Sequence, residues 1–132
     1  QDNIFDLTQL ILNQRVDEAR SLVSDLRLQG EDEIKLIAIM LGQFRIFTQV
    51  KILSENGRAE SQIVSDLSDY LGRKVNPYQV KVALKDARSL DLSFLKKTIA
   101  CLIETDYQIK SGLYEKDYLF DLALLRIATG NL

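Results

Sequence analysis

The sequence lacks the residues on which most enzyme chemistry depends. It contains no histidine, no tryptophan and one cysteine, Cys101, in 132 residues. Without histidine, His-based triads and proton relays are excluded, and one cysteine cannot form a disulfide framework or a Cys/His zinc site. We expect Cys101 to be a small buried hydrophobic residue. The acidic residues are spread over predicted helices, so we predict no catalytic residue, no metal ligand and no cofactor.

Proline and glycine are also scarce, with one and six residues, and no linker is long enough to divide the chain into domains. Apolar residues make up 46% and charged residues 27%, a balance typical of soluble helical domains. A chain of this length buries roughly two thirds of its unfolded surface. We therefore predict one domain, residues 1–132, that folds without disulfides or metals.

A strong charge of one sign and a long apolar run are absent as well. The net charge of -2 disfavours overall attraction to nucleic acid or to an anionic membrane. The longest uncharged stretch, LIAIMLGQF, is far shorter than the ~20 residues of a membrane span, and no signal peptide pattern is present. We expect no membrane partner and a cytoplasmic location. Because the chain opens on Gln1 without a Met, we expect it to be a fragment excised from a longer protein.

Apolar residues recur at helical spacing along the whole chain, and glycines follow the ends of the periodic segments. This pattern predicts an all-α, compact bundle of about seven helices. The first three predicted helices cover about 4–13, 16–28 and 31–57, and the last two cover about 93–111 and 117–129. Between them, a fourth helix ends at Gly72, and a fifth starts at Pro77 after an Asn76 N-cap. The third is apolar over most of its circumference, which indicates a long central helix.

One polar stripe interrupts the third helix. At ~100° per residue, Ala38, Gly42 and Arg45 share a face. We expect the two small residues to let a neighbouring backbone approach, and Arg45 beside them to be partly buried and to need an acid. Asp106 falls in the predicted apolar row of the sixth helix, so we predict that it pairs with Arg45 or else with Lys110. The alternative is a solvated Asp106 at the edge of that row.

The segment NPYQVKVALKDARS carries the main cationic cluster, together with the preceding Arg73 and Lys74. Four residues recur at three- and four-residue spacing on one face and are called the basic row below: Tyr78, Lys81, Lys85 and Arg88. A solvated helix face explains such a row, and contact with nucleic acid or an acidic protein is the alternative. The fourth and fifth helices also look like a helix-turn-helix. Their long connector, and Gln79 as the one residue placed to read adenine, weigh against base readout.

The loop KSGLYEKD places Tyr114 between the sixth and seventh helices. An exposed aromatic side chain at this position could stack on an unpaired base. The alternative is a ring that packs on the helix ends. Tyr114 is therefore a second candidate for contact with DNA or with a neighbouring protein.

Three segments, DEIKLIAIMLGQFRIFTQVKIL, NPYQVKVALKDARSL and ETDYQIKSG, resemble in their order and spacing the C-terminal domain of the bacterial DNA polymerase III delta subunit. The stretch IFDLTQLILNQRVDEARSLVSDLRLQGED resembles the helical hairpin that opens that domain. The ordered set QFR, PYQVK and IKSG carries most of the resemblance. The link before the proline is longer than in many members, and Asn76 stands where many have His.

The resemblance implies structural roles for the matching residues. Gln43, Phe44 and Arg45 match one helix of the family. Pro77, Tyr78 and Lys81 match another. The segment before the last helix is matched by Asp106, Ile109, Lys110 and Gly112.

The resemblance also implies a function, that of the collar domain of a clamp loader, the assembly that opens the sliding clamp and loads it on primed DNA. Such a domain packs against equivalent domains of other loader subunits, while clamp binding belongs to N-terminal domains absent from this sequence. It is a non-catalytic part of the DNA polymerase III holoenzyme, a nucleotidyltransferase complex. Other loader subunits would be bound through the collar helices. Tyr114 and the basic row are candidates for contact with those subunits or with primer-template DNA, and the contact with DNA would be weak. The alternative function is an independent helix-turn-helix DNA-binding domain.

Overall fold

The structure, a computed structural model, describes residues 4–132, and within that range it contains seven α-helices and no β-strand. The helices are α1 (Ile4–Leu12), α2 (Val16–Leu28), α3 (Glu33–Glu55), α4 (Glu60–Leu71), α5 (Pro77–Ala87), α6 (Leu92–Ser111) and α7 (Lys116–Thr129). The prediction of an all-α fold is confirmed. The predicted helix ends agree with the observed ones to within two residues.

The turn between α1 and α2 is tight and contains a strained residue. Gln14 adopts a φ of 60°, in the left-handed region that glycine usually occupies at the end of a helix. This conformation lets the Gln14 N–H donate to the Ile11 carbonyl at 3.0 Å and the Arg15 N–H to the Leu10 carbonyl at 2.9 Å. The chain thereby reverses at once, and α2 packs back on α1.

The chain forms two compact units. In the first, 4–42 and 97–132, α1, α2 and α7 pack on one another around almost completely buried apolar side chains, among them Leu7, Ile11, Val23 and Phe120. In the second, 43–96, α4 packs on α5 around Ile63, Leu67, Val75 and Val80. The expectation of a single domain stays a prediction.

The third helix differs from its prediction on one face. Its apolar side chains are buried as expected, including Leu36, Ile37, Met40, Phe44 and Val50. The stripe of Ala38, Gly42 and Arg45 is instead exposed. A Cβ added at Gly42 would meet no atom within 4 Å, so the expected close approach of a neighbouring backbone is wrong for the described residues.

The length and composition of α3 would also allow it to cross a membrane. One such helix is weak evidence for a span, because the core helix of a soluble protein passes the same test.

Candidate interaction surfaces

The basic row lies on a helix whose start is fixed by its sequence. The Asn76 side chain accepts a hydrogen bond from the Tyr78 N–H at 2.9 Å. Pro77 occupies the first turn, where its lack of an N–H costs nothing because an N–H there has no acceptor within the helix. The inward face of α5 is buried as predicted, with Val80, Ala83, Leu84 and Ala87. The cap fixes where α5 starts, and the buried face determines which face meets solvent.

All four members of the basic row are exposed. None of them takes part in an ion pair formed among residues 4–132. The row therefore presents three uncompensated cations and one phenol to solvent. Such a surface suits phosphate groups or acidic side chains, and it equally suits water.

The two ends of α5 are held by contacts within the second unit. Before the helix, Val75 is buried and its N–H donates to the Ser68 hydroxyl at 3.0 Å. At the last residue of the helix, the Lys51 ammonium donates to the Ala87 carbonyl at 3.3 Å, and it lies 3.5 Å from a carboxylate oxygen of Glu55. A cation at a helix C-terminus is favourable, because the last carbonyls carry partial negative charge. The orientation of the basic row is therefore fixed at both ends.

Tyr114 lies in the first unit, so the structure places it on a different part of the chain from the basic row. Its side chain is 64% exposed, and its ring centroid is 6.3 Å from that of Tyr118. Tyr114 thus contacts the start of α7 while most of its surface remains free. Both uses predicted for this residue remain open.

The loop that carries Tyr114 is followed by an ion pair. The Lys116 ammonium donates to a carboxylate oxygen of Asp32 at 2.8 Å. This hydrogen bond lowers the pKa of Asp32, and it raises the pKa of Lys116. The pair connects the start of α7 with the residue just before α3.

The candidate ion pair of Arg45 and Asp106 needs correction at one end. Asp106 pairs with Lys110, the second partner considered, at 2.9 Å, and its side chain remains 30% exposed. Arg45 is exposed, so the expectation of a partly buried guanidinium that needs an acid is wrong. Water solvates a cation on an exposed helix face at little cost. Sequence periodicity correctly grouped Arg45 with Ala38 and Gly42 on one face of α3. That face is exposed, whereas we expected it to be partly buried.

The most connected ion pair was not predicted. Arg27 contacts Glu33 through Nε at 2.7 Å and Asp121 through Nη2 at 3.0 Å, and its guanidinium lies 5.9 Å from the centre of the Phe120 ring. The Glu33 side chain is only 5% exposed. Burial lowers the pKa of Arg27, but its hydrogen bonds to Glu33 and Asp121 outweigh that effect, and the pKa is raised. Of the two partners, only Glu33 lies near Arg27 in the sequence, six residues later, whereas Asp121 lies 94 residues later.

The chain matches the family described as "DNA polymerase III delta subunit, C-terminal domain" over residues 1–127. It is 35% identical over 131 residues to the DNA polymerase III subunit delta of Bacillus subtilis, and the match covers 99% of this chain and 36% of that protein. The chain thus spans about a third of that curated relative's length. The solved structure of the Bacillus subtilis DNA clamp loader delta protein is similar with a TM-score of 0.84 and 35% identity, over 96% of this chain and 35% of that one. None of these relatives favours the helix-turn-helix alternative.

Proposed function

The chain belongs to the family formed by the C-terminal domain of the DNA polymerase III delta subunit, and on this premise we propose that it is the subunit-assembly, or collar, domain of a clamp loader. In this role it binds the helical domains of other loader subunits. The observation that supports the proposal most directly is the similarity to the clamp loader delta protein over nearly the whole chain.

The distribution of apolar side chains is consistent with an assembly domain. Each unit has its own buried core, which gives a firm scaffold. Several large apolar side chains nevertheless remain exposed on that scaffold, and two of them, Ile103 and Tyr107, lie four residues apart on one face of α6. Exposed apolar groups that lie close together are typical of surfaces that bind other proteins. We assign no catalytic step to this domain. We assign contact with the sliding clamp to N-terminal domains of the longer protein, and we place the protein in the cytoplasm.

Co-purification tests the assembly function. The full-length protein that contains this domain should co-purify with the other loader subunits. Lysine-specific cross-linking should then connect Lys81, Lys110 or Lys116 of this domain to a sister subunit, since all three side chains are exposed. If the protein neither associates with those subunits nor forms a cross-link from these lysines, the assembly function is rejected.

A finer proposal is weak contact of the loader with primer-template DNA through the basic row, with Tyr114 as a stacking residue. None of the ion pairs formed among the described residues includes Lys81, Lys85 or Arg88, which supports the proposal because these cations remain available to phosphate. Triple replacement by Ala in the full loader should weaken DNA binding. It should also reduce the slope of log K against log salt by about 0.9 for each lost phosphate contact.

The matched control for this experiment is Lys96→Ala with Lys97→Ala, since both lysines are exposed and lie outside the row. Tyr114→Ala should reduce binding to a substrate with unpaired template bases more than to a plain duplex. An unchanged salt slope in the triple variant would reject the role of the basic row.

A further inference from the structure

A groove opens between α2 and α7, next to the end of α1, within the first unit. Its volume is about 280 Å³. Buried side chains form the floor, and two of them, Ala19 and Ala128, are small enough to leave a depression where the helices meet. Since an apolar cavity of about 150 Å³ accepts benzene, the groove has room for roughly two side chains of that size.

An apolar ridge on α7 forms one side of the groove. It consists of Tyr118, Leu122 and Leu125, which are 57%, 39% and 47% exposed. Their spacing of four and three residues places them on one side of the helix, along roughly 10 Å of its axis. A small ligand on the floor would leave this ridge in water. An elongated apolar partner, such as a helix, covers both the floor and the ridge.

The charges around the groove indicate the polarity of that partner. Its two charged lining residues are Arg20 and Asp121. The Asp121 carboxylate is already compensated by Arg27 at 3.0 Å. Arg20 is exposed, and no ion pair among the described residues includes it. The groove therefore carries one free cation, which a carboxylate of the partner would complement.

Nucleic acid and membrane fit the groove poorly. Binding to a phosphate backbone uses several cations, and an anionic membrane likewise attracts clusters of basic residues. The groove offers one such cation beside an apolar floor, and Asp17 lies one turn before Arg20 on α2. An amphipathic helix that presents apolar anchors at i, i+4 and i+7 fits this combination.

We infer that this groove is the docking site for an amphipathic helix of another clamp-loader subunit, which inserts apolar side chains over Ala19 and Ala128 and places a carboxylate against Arg20. The inference rests on the proposed assembly function and adds to it the face that is used and the chemistry of the partner. Burial of the α7 ridge in the complex removes its apolar surface from water and supplies the main driving force.

The test uses the full-length protein reconstituted with the other loader subunits. Leu122→Asn with Leu125→Asn should weaken association by about tenfold or more, the effect expected when apolar anchors are lost. The matched control is Leu71→Asn, which changes a leucine that is 40% exposed and lies in the second unit. Arg20→Glu should weaken association as well. Arg15→Glu is its control, since Arg15 is also exposed but does not line the groove.

A second measurement does not use the asparagine variants. A benzophenone cross-linker attached to Leu122→Cys, in a Cys101→Ala background, should label an amphipathic helix of a sister subunit that contains an acidic residue. A label on DNA, or on a second copy of this chain, would overturn the choice of partner.

The outcomes separate this inference from the proposed function. If the wild-type protein assembles and the groove variants bind as tightly as the wild type, the groove is not the docking site, while the assembly function stands. A loss equal to that in the Leu71→Asn control would have the same meaning. If the wild-type protein does not associate with any loader subunit, both proposals fail.

Discussion

Replacement of Arg27 by Ala should destabilise the first unit strongly, because it isolates a buried carboxylate. The guanidinium Nε lies 2.7 Å from a carboxylate oxygen of Glu33, and the Glu33 side chain is 5% exposed. Breaking a fully buried ion pair costs about 3–5 kcal/mol. The Arg27 side chain is 26% exposed, so water can partly replace it, and we expect a loss of about 2–3 kcal/mol.

A double-mutant cycle distinguishes this mechanism from a simple loss of packing. If the cost arises from the stranded carboxylate, Glu33→Gln should recover part of it in the Arg27→Ala background. The expected coupling energy is about 1–2 kcal/mol. Urea denaturation followed by circular dichroism gives the free energies, provided that the m-value stays constant.

Arg15→Ala is the control for this cycle. Arg15 pairs with Glu18 within one helix turn, and both side chains are more than half exposed, so its loss should cost about 0.5 kcal/mol or less. If Arg27→Ala costs no more than Arg15→Ala, or if the coupling is close to zero, the argument that Glu33 depends on Arg27 is refuted.

Four further substitutions test other parts of the structure by the same denaturation assay. Gly42→Ala should stabilise the chain by about 0.5–1 kcal/mol, because a Cβ there meets no atom within 4 Å; a loss of stability would contradict the exposed position of Gly42. Thr98→Val should be neutral or stabilising by up to about 1 kcal/mol, since its buried hydroxyl has no hydrogen-bond partner among the described residues. Thr105→Val should cost about 1 kcal/mol, because that hydroxyl donates to the Cys101 carbonyl at 2.7 Å; equal effects of the two valines would refute the distinction. The pKa of Asp32 is lowered by Lys116, so its contribution is present above the ordinary carboxyl value of 3.8 and is lost as the pH falls through the lowered folded pKa. The stability difference between wild type and Asp32→Asn should therefore shrink in that acidic range, and a pH-independent difference would be inconsistent with the pair.

The helix boundaries could be predicted because their signals are local. Asn76 and Pro77 mark the start of α5, and the observed cap uses the Asn76 side chain as expected. Glycines with positive φ follow the ends of several helices, as at Gly72 and Gly130. The inward face of α5 was also predictable, since its apolar residues repeat at helical spacing while the other positions are polar. Burial of Cys101 is confirmed too, and that burial raises the pKa of its thiol.

The role of the basic row stays a prediction, because exposure alone does not identify a partner. Local patterns also failed to reveal the groove. Its floor and ridge come from helices at opposite ends of the sequence, α2 and α7. An alanine such as Ala19 gives no sign in sequence that a cavity lies above it. Such features become visible only when the helices are packed together.

The two arginines Arg27 and Arg45 show why a residue's environment is harder to predict than its helix. Each lies on a helix with apolar neighbours, and either one would need an acid if it were buried. On α3 the apolar residues surround most of the axis, so periodicity does not decide which side faces solvent, and Arg45 is exposed. Arg27 lies near the end of α2, where Glu33 and, from 94 residues away, Asp121 both reach it. The need for an acid follows from burial, and burial is set by contacts distant in the sequence.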